Sequence, residues 1–281
     1  VIVFSAMIYK RLKISNKQKE IIEEQKIIVE AKNKEIVDSI NYAKRIQGAI
    51  LPSLDKIKEA LPDSFVLYQP KDIVAGDFYW YKESDGKVLI AVADCTGHGV
   101  PGAMVSVVCH NALNRAVNDF KLSEPAKILD KTAELVIDAF QKSQDEVKDG
   151  MDICLCSFDL ENNHLEYSGA INSLFFISEN KLTEIKGDKQ PIGEFAHLKP
   201  FTNHQISLNK GDKVYMFSDG YADQFGGKKG KKYMYKRFRD LILNISVLEF
   251  NRQGEELKAE FENWRGDLEQ LDDVCVIGVK L

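Results

Sequence analysis

Histidine and cysteine are scarce in this chain of 281 residues, with five of each. No cysteine pair has zinc-site spacing. Cys95, Cys109, Cys154, Cys156 and Cys275 all lie in apolar runs, which fits buried free thiols in a reducing compartment and excludes a disulfide-framed scaffold. Cys154 and Cys156 fall in an alternating strand pattern and should share one face. An excess of basic charge is also missing: 38 Lys and Arg stand against 43 Asp and Glu, a net charge of −5. No nucleic-acid partner is expected from that balance. The chain further lacks an apolar run long enough to cross a bilayer. Residues 1–9 (VIVFSAMIY) are apolar, but a spanning helix needs about 20 residues. With no basic residue ahead of it, the run does not read as a signal peptide. Lys10, Arg11 and Lys13 follow at once. The run therefore reads as the cut end of a transmembrane helix with a basic cytoplasmic flank, over residues 1–13. The rest would be the cytoplasmic domain of an inner-membrane protein.

Hydrophobic residues make up 44% and aromatics 10%, enough for a substantial core. The organisation divides into three parts. Residues 14–50 are dense in Glu, Lys and Ile, with no proline. Ile14, Ile21 and Ile28 are spaced by seven; the seam then shifts phase and continues through Ile36, Ile40, Ala43 and Ile50. A narrow stripe with charged flanks predicts a coiled-coil helix, ended by Pro52, and a homodimer formed through it. From residue 51 to 281 the pattern is a single domain of strands and helices. Short runs rich in Val, Ile and aromatics, such as IVAGDFYWY and KVLIAVAD, alternate with polar turns. Helices are predicted over about 101–118, 124–144, 233–245 and 251–265, with a last strand at 273–280. Hairpins dominate and βαβ alternation is missing. The expected fold is α+β: an α-β-β-α sandwich of two mostly antiparallel sheets flanked by helices, preceded by the long N-terminal helix.

Carboxylates stand out by context. Asp77 sits in DIVAGDFYW; Asp94 ends the apolar strand VLIAVAD; Asp219 ends KVYMFSD; Asp272 and Asp273 open the final strand. A carboxylate at the mouth of an apolar strand is costly unless paired or solvated. One such Asp is the ordinary end of a strand in a turn. Four such positions in this order, the pair Asp272/Asp273 counting as one, point instead to carboxylates converging on a shared cation. An all-oxygen set selects Mg2+ or Mn2+ over zinc. Two such ions can bind one bridging water, lower its pKa and aim it at phosphorus.

The motifs DCTGHGVPGA at 94–103, AGDFY at 75–79, SDG at 218–220 and LDDV at 271–274 resemble the SpoIIE/RsbU-type branch of the 2C-type metal-dependent protein phosphatases (PPM family). IQGAILP at 46–52 is similar to the segment that opens that domain. The resemblance implies a protein serine/threonine phosphatase using two Mn2+ or Mg2+ ions and a metal-bridging hydroxide. Asp94 would bridge both metals, with the backbone carbonyl of Cys95 as a further ligand. Asp77 would serve one ion, and Asp219 with Asp272 or Asp273 the other. Asp223, four residues after Asp219, would hold a weaker third ion. His98 is the candidate general acid, or else it only shapes the Gly97-His98-Gly99 turn. The implied substrate is a small phosphorylated regulatory protein, such as a STAS-type anti-sigma-factor antagonist, with control through the N-terminal dimerising helix. The alternative is a catalytically silent phosphoprotein-binding module of a membrane sensor. One feature lies outside these motifs: GGKKGKKYMYKRFR at 226–239 holds seven Lys and Arg. It reads either as a flap that attracts an acidic phosphoprotein or as a solvated loop and helix face.

Overall fold

The structure is a computed structural model that describes residues 2–141 and 149–281. The last three residues of the helix expected at 124–144, and Val1 of the apolar N-terminus, lie outside the described residues. The chain forms two compact units, Val1–Arg45 and Ile46–Leu281.

The first unit is helical. Helix α1 runs over Ile2–Ile50 and extends about 74 Å at 1.5 Å per residue. It continues unbroken because no helix breaker occurs before Gly48, and pairs such as Lys26–Glu30 and Lys32–Glu35 support its surface. Ile14, Ile21, Ile28 and Ile36 are all exposed. Among the described residues no helix is long and apolar enough to cross a membrane.

The second unit takes in the last turn of α1. Then come α2 (Leu54–Ala60), β1 (Ser64–Gln69), β2 (Phe78–Ser84), β3 (Lys87–Cys95), α3 (Gly99–Asn118) and α4 (Pro125–Gln141). Strands β4 (Met151–Asp159), β5 (His164–Ala170), β6 (Leu174–Ser178), β7 (Lys181–Ile185), β8 (His204–Ser207) and β9 (Lys213–Phe217) follow. The chain closes with α5 (Gly220–Asp223), the hairpin β10 (Phe225–Gly226) and β11 (Lys231–Lys232), α6 (Tyr235–Ile245), α7 (Phe250–Arg265) and β12 (Val274–Lys280). One sheet has the order β1-β12-β9-β6-β7 and the other β2-β3-β4-β5-β8. The strand pairings are antiparallel, as the hairpin-rich sequence implies.

Strand alternation builds the layers. Along β3, Leu89, Ala91, Ala93 and Cys95 face α3 and α4. Val88, Ile90 and Val92 face the other sheet, because successive side chains point to opposite faces. Along β12, Cys275, Ile277 and Val279 enter the inter-sheet core, while Val274 and Val276 meet α6 and α7. Three stacked apolar layers result, which is the α-β-β-α sandwich. Cys154 and Cys156 both lie between the sheets, and all five cysteines are free and buried.

The sequence reading missed some local structure. Residues 73–77 are not strand; β2 begins at Phe78, and the stretch before it is irregular because its backbone amides bind a side chain, as described below. Helix α2, capped by the Ser53 hydroxyl, and the two-residue strands of the hairpin are too short to leave a periodic signal.

Candidate active site

The carboxylates meet where the central strands of both sheets end. Asp94 on β3 and Asp152 on β4 are direct antiparallel partners. Phe78 pairs with Ala93, so Asp77, one residue before β2, arrives beside Asp94. In the other sheet Phe217 of β9 lies opposite Val276 of β12, and just past these ends come Asp219 and Asp272. Ser218 fastens the two ends: its N–H donates to the Cys275 carbonyl at 3.0 Å, and its hydroxyl accepts from the Cys275 N–H at 3.0 Å. Asp94, Cys95, His98, Asp152, Asp219 and Asp272 line one cleft of about 250 Å3. Gly97, at φ 83°, turns the chain at its rim. A Cβ on Gly76 or on Gly102 would sit 2.2 Å from the Gly97 carbonyl oxygen, so the loops beneath Asp77 and Asp94 pack only as glycine.

The electrostatics are those of crowded anions. Burial pushes the Asp94 carboxyl up to about 8, and the charges of Asp219, Asp272 and Asp152 add to it. Burial also raises Asp219, followed by the charges of Asp223 and Asp272. Asp152 is pushed up to about 6 by burial and by Asp219. Asp77 is raised well above the usual carboxylate range by burial and then by Asp94, against an opposing hydrogen bond from Ser218. Its Oδ2 is buried without a partner. Mutual repulsion and burial both disfavour the charged forms.

Asp272 and Asp273, equivalent in the sequence, are distinct here. Asp273 is buried, and backbone amides occupy both its oxygens. Oδ1 accepts from Lys71 N–H at 2.7 Å, and Oδ2 accepts from Gly76 N–H at 2.7 Å and Asp77 N–H at 3.4 Å. It organises the loop that carries Asp77, and it is Asp272 that lines the cleft. Asp223 lies at the edge, paired with Lys232 at 2.7 Å. His98 has both ring nitrogens engaged: Nδ1 with Asp72 Oδ2 at 2.9 Å and Nε2 with Lys71 Nζ at 3.0 Å. An ammonium can only donate, so Nε2 accepts and Nδ1–H donates to the carboxylate. His98 thus holds Lys71 at the cleft rim.

The donor chemistry fits a hard divalent cation: carboxylates come from two sheets, one with an orphaned buried oxygen, while the His98 ring nitrogens are taken by Asp72 and Lys71 and Cys95 belongs to the apolar core. Among the described residues no three such side chains already form a coordination set.

The sequence reading overlooks Gln47, Lys71 and Asp72; for Asp152, which follows Gly150-Met151 at the start of a strand, it allows a place facing the metal centre but favours a turn. Gln47 and the Lys71–Asp72 pair left no spacing signal, since their partners are remote in the chain. Asp152 opens an apolar strand as Asp94 ends one, and the strand register puts the two side by side.

Two antiparallel sheets between helical layers, with carboxylates gathered at the ends of their central strands, define the 2C-type phosphatase fold. Within that class the chain belongs to the SpoIIE family: the family model described as Stage II sporulation protein E (SpoIIE) matches residues 84–281. The phosphoserine phosphatase RsbU of Bacillus subtilis (strain 168) is 25% identical over 195 residues, covering 67% of this chain and 55% of that protein. The chain thus spans little more than half the length of that relative. The SiaA-PP2C domain of Pseudomonas aeruginosa is 31% identical with a TM-score of 0.80, covering 89% of this chain and 98% of that one. RsbX, solved in complex with magnesium, shares the fold at a TM-score of 0.53 and 15% identity, covering 78% and 94% of the two chains.

Proposed function

We propose that this chain is a metal-dependent protein serine/threonine phosphatase that hydrolyses phosphoserine or phosphothreonine on a regulatory protein. The observation that carries the reading is the convergence of Asp94, Asp152, Asp219 and Asp272 from two sheets on one cleft, with Asp77 buried beside Asp94 and Asp94 pushed up to about 8. Support also comes from RsbU, a phosphoserine phosphatase by name, and from RsbX, solved with magnesium.

Asp94, Asp219, Asp272, Asp77 and the Cys95 carbonyl would hold Mg2+ or Mn2+, with two ions matching the number of carboxylates, and Asp223 would add a weaker third site. When bound, such ions lower the pKa of a water and offset the charge of the phosphoryl oxygens. The chain's own residues set the geometry. Asp273 fixes the amides of Gly76 and Asp77 and so aims Asp77. Lys71, bonded to His98, which Asp72 holds in turn, would present an ammonium to an incoming phosphoryl group.

The family resemblance favours a small phosphorylated regulator as substrate, such as a STAS-type anti-sigma-factor antagonist. The exposed seam of Ile14, Ile21 and Ile28 favours a homodimer through α1. Residues 1–13 would lie next to the inner membrane, with residues 51–281 as the cytoplasmic phosphatase domain. Deleting residues 1–45 tests control through α1: unchanged oligomeric state and unchanged metal-dependent activity would sink it. Hydrolysis of p-nitrophenyl phosphate with Mn2+, lost in Asp94→Asn, tests the enzyme. Absence of turnover with any divalent ion would favour a phosphoprotein-binding module instead.

A further inference from the structure

The basic stretch 226–239 adds nothing to the acid set, yet it is folded against it. The tip of the β10–β11 hairpin carries Lys228, Lys229 and Lys231, all exposed. The hairpin lies on Trp264: Gly227 N–H donates to the Trp264 carbonyl at 2.7 Å, and a Cβ on Gly227 would sit 2.6 Å from its ring. The Arg237 guanidinium lies 4.1 Å from the Trp264 ring centre and 5.4 Å from that of Tyr233. Tyr233 meets Trp264 edge-on at 5.2 Å. These groups enclose a hollow of about 560 Å3 with an aromatic floor and a cationic rim, and with one acid, Asp240, on its wall. It adjoins the cleft: Lys232 pairs with Asp223, and at Tyr235, three residues further on, the charges of Asp219, Asp223, Asp94 and Asp152 add to the burial that pushes its hydroxyl up.

A solvated charged face usually mixes signs, as α1 does with its Lys–Glu pairs. Here seven cations occupy fourteen residues without one acid, in a chain whose net charge is −5. Asp223 offsets Lys232, while Lys228, Lys229 and Lys231 sit together on the exposed hairpin, where an anionic partner would relieve their repulsion. Stacking on Trp264 holds the Arg237 plane and leaves its N–H edge for a carboxylate.

We propose that this hollow docks an acidic peptide segment of the protein that carries the phosphorylated residue, with carboxylates on Lys228, Lys229, Lys231 and Arg237 and a neighbouring side chain over Trp264. The proposal rests on the phosphatase reading, since docking there would deliver the phosphoryl group to the adjoining cleft.

The test uses two phosphoserine peptides that differ only in flanking residues, four glutamates or four glutamines, with p-nitrophenyl phosphate as the reference. The wild-type chain should turn over the glutamate peptide with a kcat/KM about tenfold higher, a preference that shrinks as salt rises. Lys228→Ser, Lys229→Ser and Lys231→Ser together should abolish the preference through KM while leaving turnover of p-nitrophenyl phosphate unchanged. Arg237→Met, which keeps an apolar stem on Trp264, should weaken it in the same direction. Equal turnover of both peptides by the wild type, or a preference that survives in both variants, overturns the proposal. A binding arm, peptide anisotropy with the Asp94→Asn chain, keeps the two ideas separate. Absence of p-nitrophenyl phosphate turnover would remove the phosphatase reading, and the glutamate-over-glutamine binding ratio would still decide the docking site.

Discussion

The side chain of Gln47 closes a ring of two hydrogen bonds with the backbone of Ala75. Gln47 Nε2 donates to the Ala75 carbonyl at 2.6 Å, and the Ala75 N–H donates to Gln47 Oε1 at 3.1 Å. The same Nε2 also reaches the Ser106 hydroxyl on α3 at 3.1 Å. Gln47 is buried, and Ala75 stands two residues before Asp77. One amide therefore ties the last turn of α1 to the loop of a candidate metal ligand and to the helix that follows Asp94.

Gln47→Leu should leave both Ala75 backbone groups without partners. A loss of about 1–3 kcal/mol in unfolding free energy is expected, together with a weaker Mn2+ midpoint, because the loop that aims Asp77 loosens. Urea unfolding and metal titration of the variant check this. A stable variant with unaltered metal affinity would deny Gln47 that role.

Asp94 and Asp152 should make the metal-free protein pH-sensitive. A carboxylate raised in the folded state stabilises the fold below its ordinary value of 3.8, and that contribution is lost as pH rises through about 8 for Asp94 and about 6 for Asp152. Asn at 94 has no proton to lose. In chelator, the stability of Asp94→Asn relative to wild type should therefore rise between pH 4 and 8, by at most about 1.4 kcal/mol per pH unit. Unfolding curves across that range supply the measurement.

Cation binding should reverse this slope. Protons and divalent ions compete for the same oxygens, so Mn2+ should raise Tm more at pH 8 than at pH 6. Calorimetry at both values, with and without the ion, decides it. An equal shift would mean that ions bind outside the acid cluster.

Asp272 and Asp273 should separate by phenotype. Asp272→Ala should weaken metal binding at a smaller cost to stability, since it loses one bond from the Asp273 N–H but relieves repulsion on Asp94 and Asp219. Asp273→Ala should cost about 2–3 kcal/mol, because the amides of Lys71, Gly76 and Asp77 lose their acceptor. Parallel unfolding and metal titrations of the two variants give the comparison.

His98 and Lys71 should behave as one unit. If His98 acted as general acid, His98→Ala would slow poor leaving groups far more than p-nitrophenolate. The geometry instead predicts similar losses for both leaving groups, and losses in His98→Ala and Lys71→Ala that do not add in the double variant. A leaving-group-dependent defect confined to His98 would restore the general acid.

Much of the architecture was written locally. The alternation of β3 and β12 followed from residue order, and so did the unbroken α1 and the placing of Asp94 and Asp219 at strand ends, because hydrophobic period and helix-breaker positions act over a few residues. The acid motifs were legible for the same reason: each sits against its own apolar strand. The basic hairpin was legible as charge, while its aromatic floor was not, since Trp264 lies on α7, remote in the chain from Lys228.

The sequence by itself determined which residue types stand at the mouths of the strands, and with them the family and the candidate chemistry. Only the tertiary structure decided which of those residues meet. Asp273 turns to amides 202 residues away at Lys71, Gln47 binds a backbone 28 residues on, and His98 reaches back 26 residues to Asp72. Such pairings depend on the register between strands and on how two sheets stack. A slip of one residue would turn every strand side chain to the opposite face. No local pattern encodes that choice: it follows from burying the inter-sheet core and both helix layers at once.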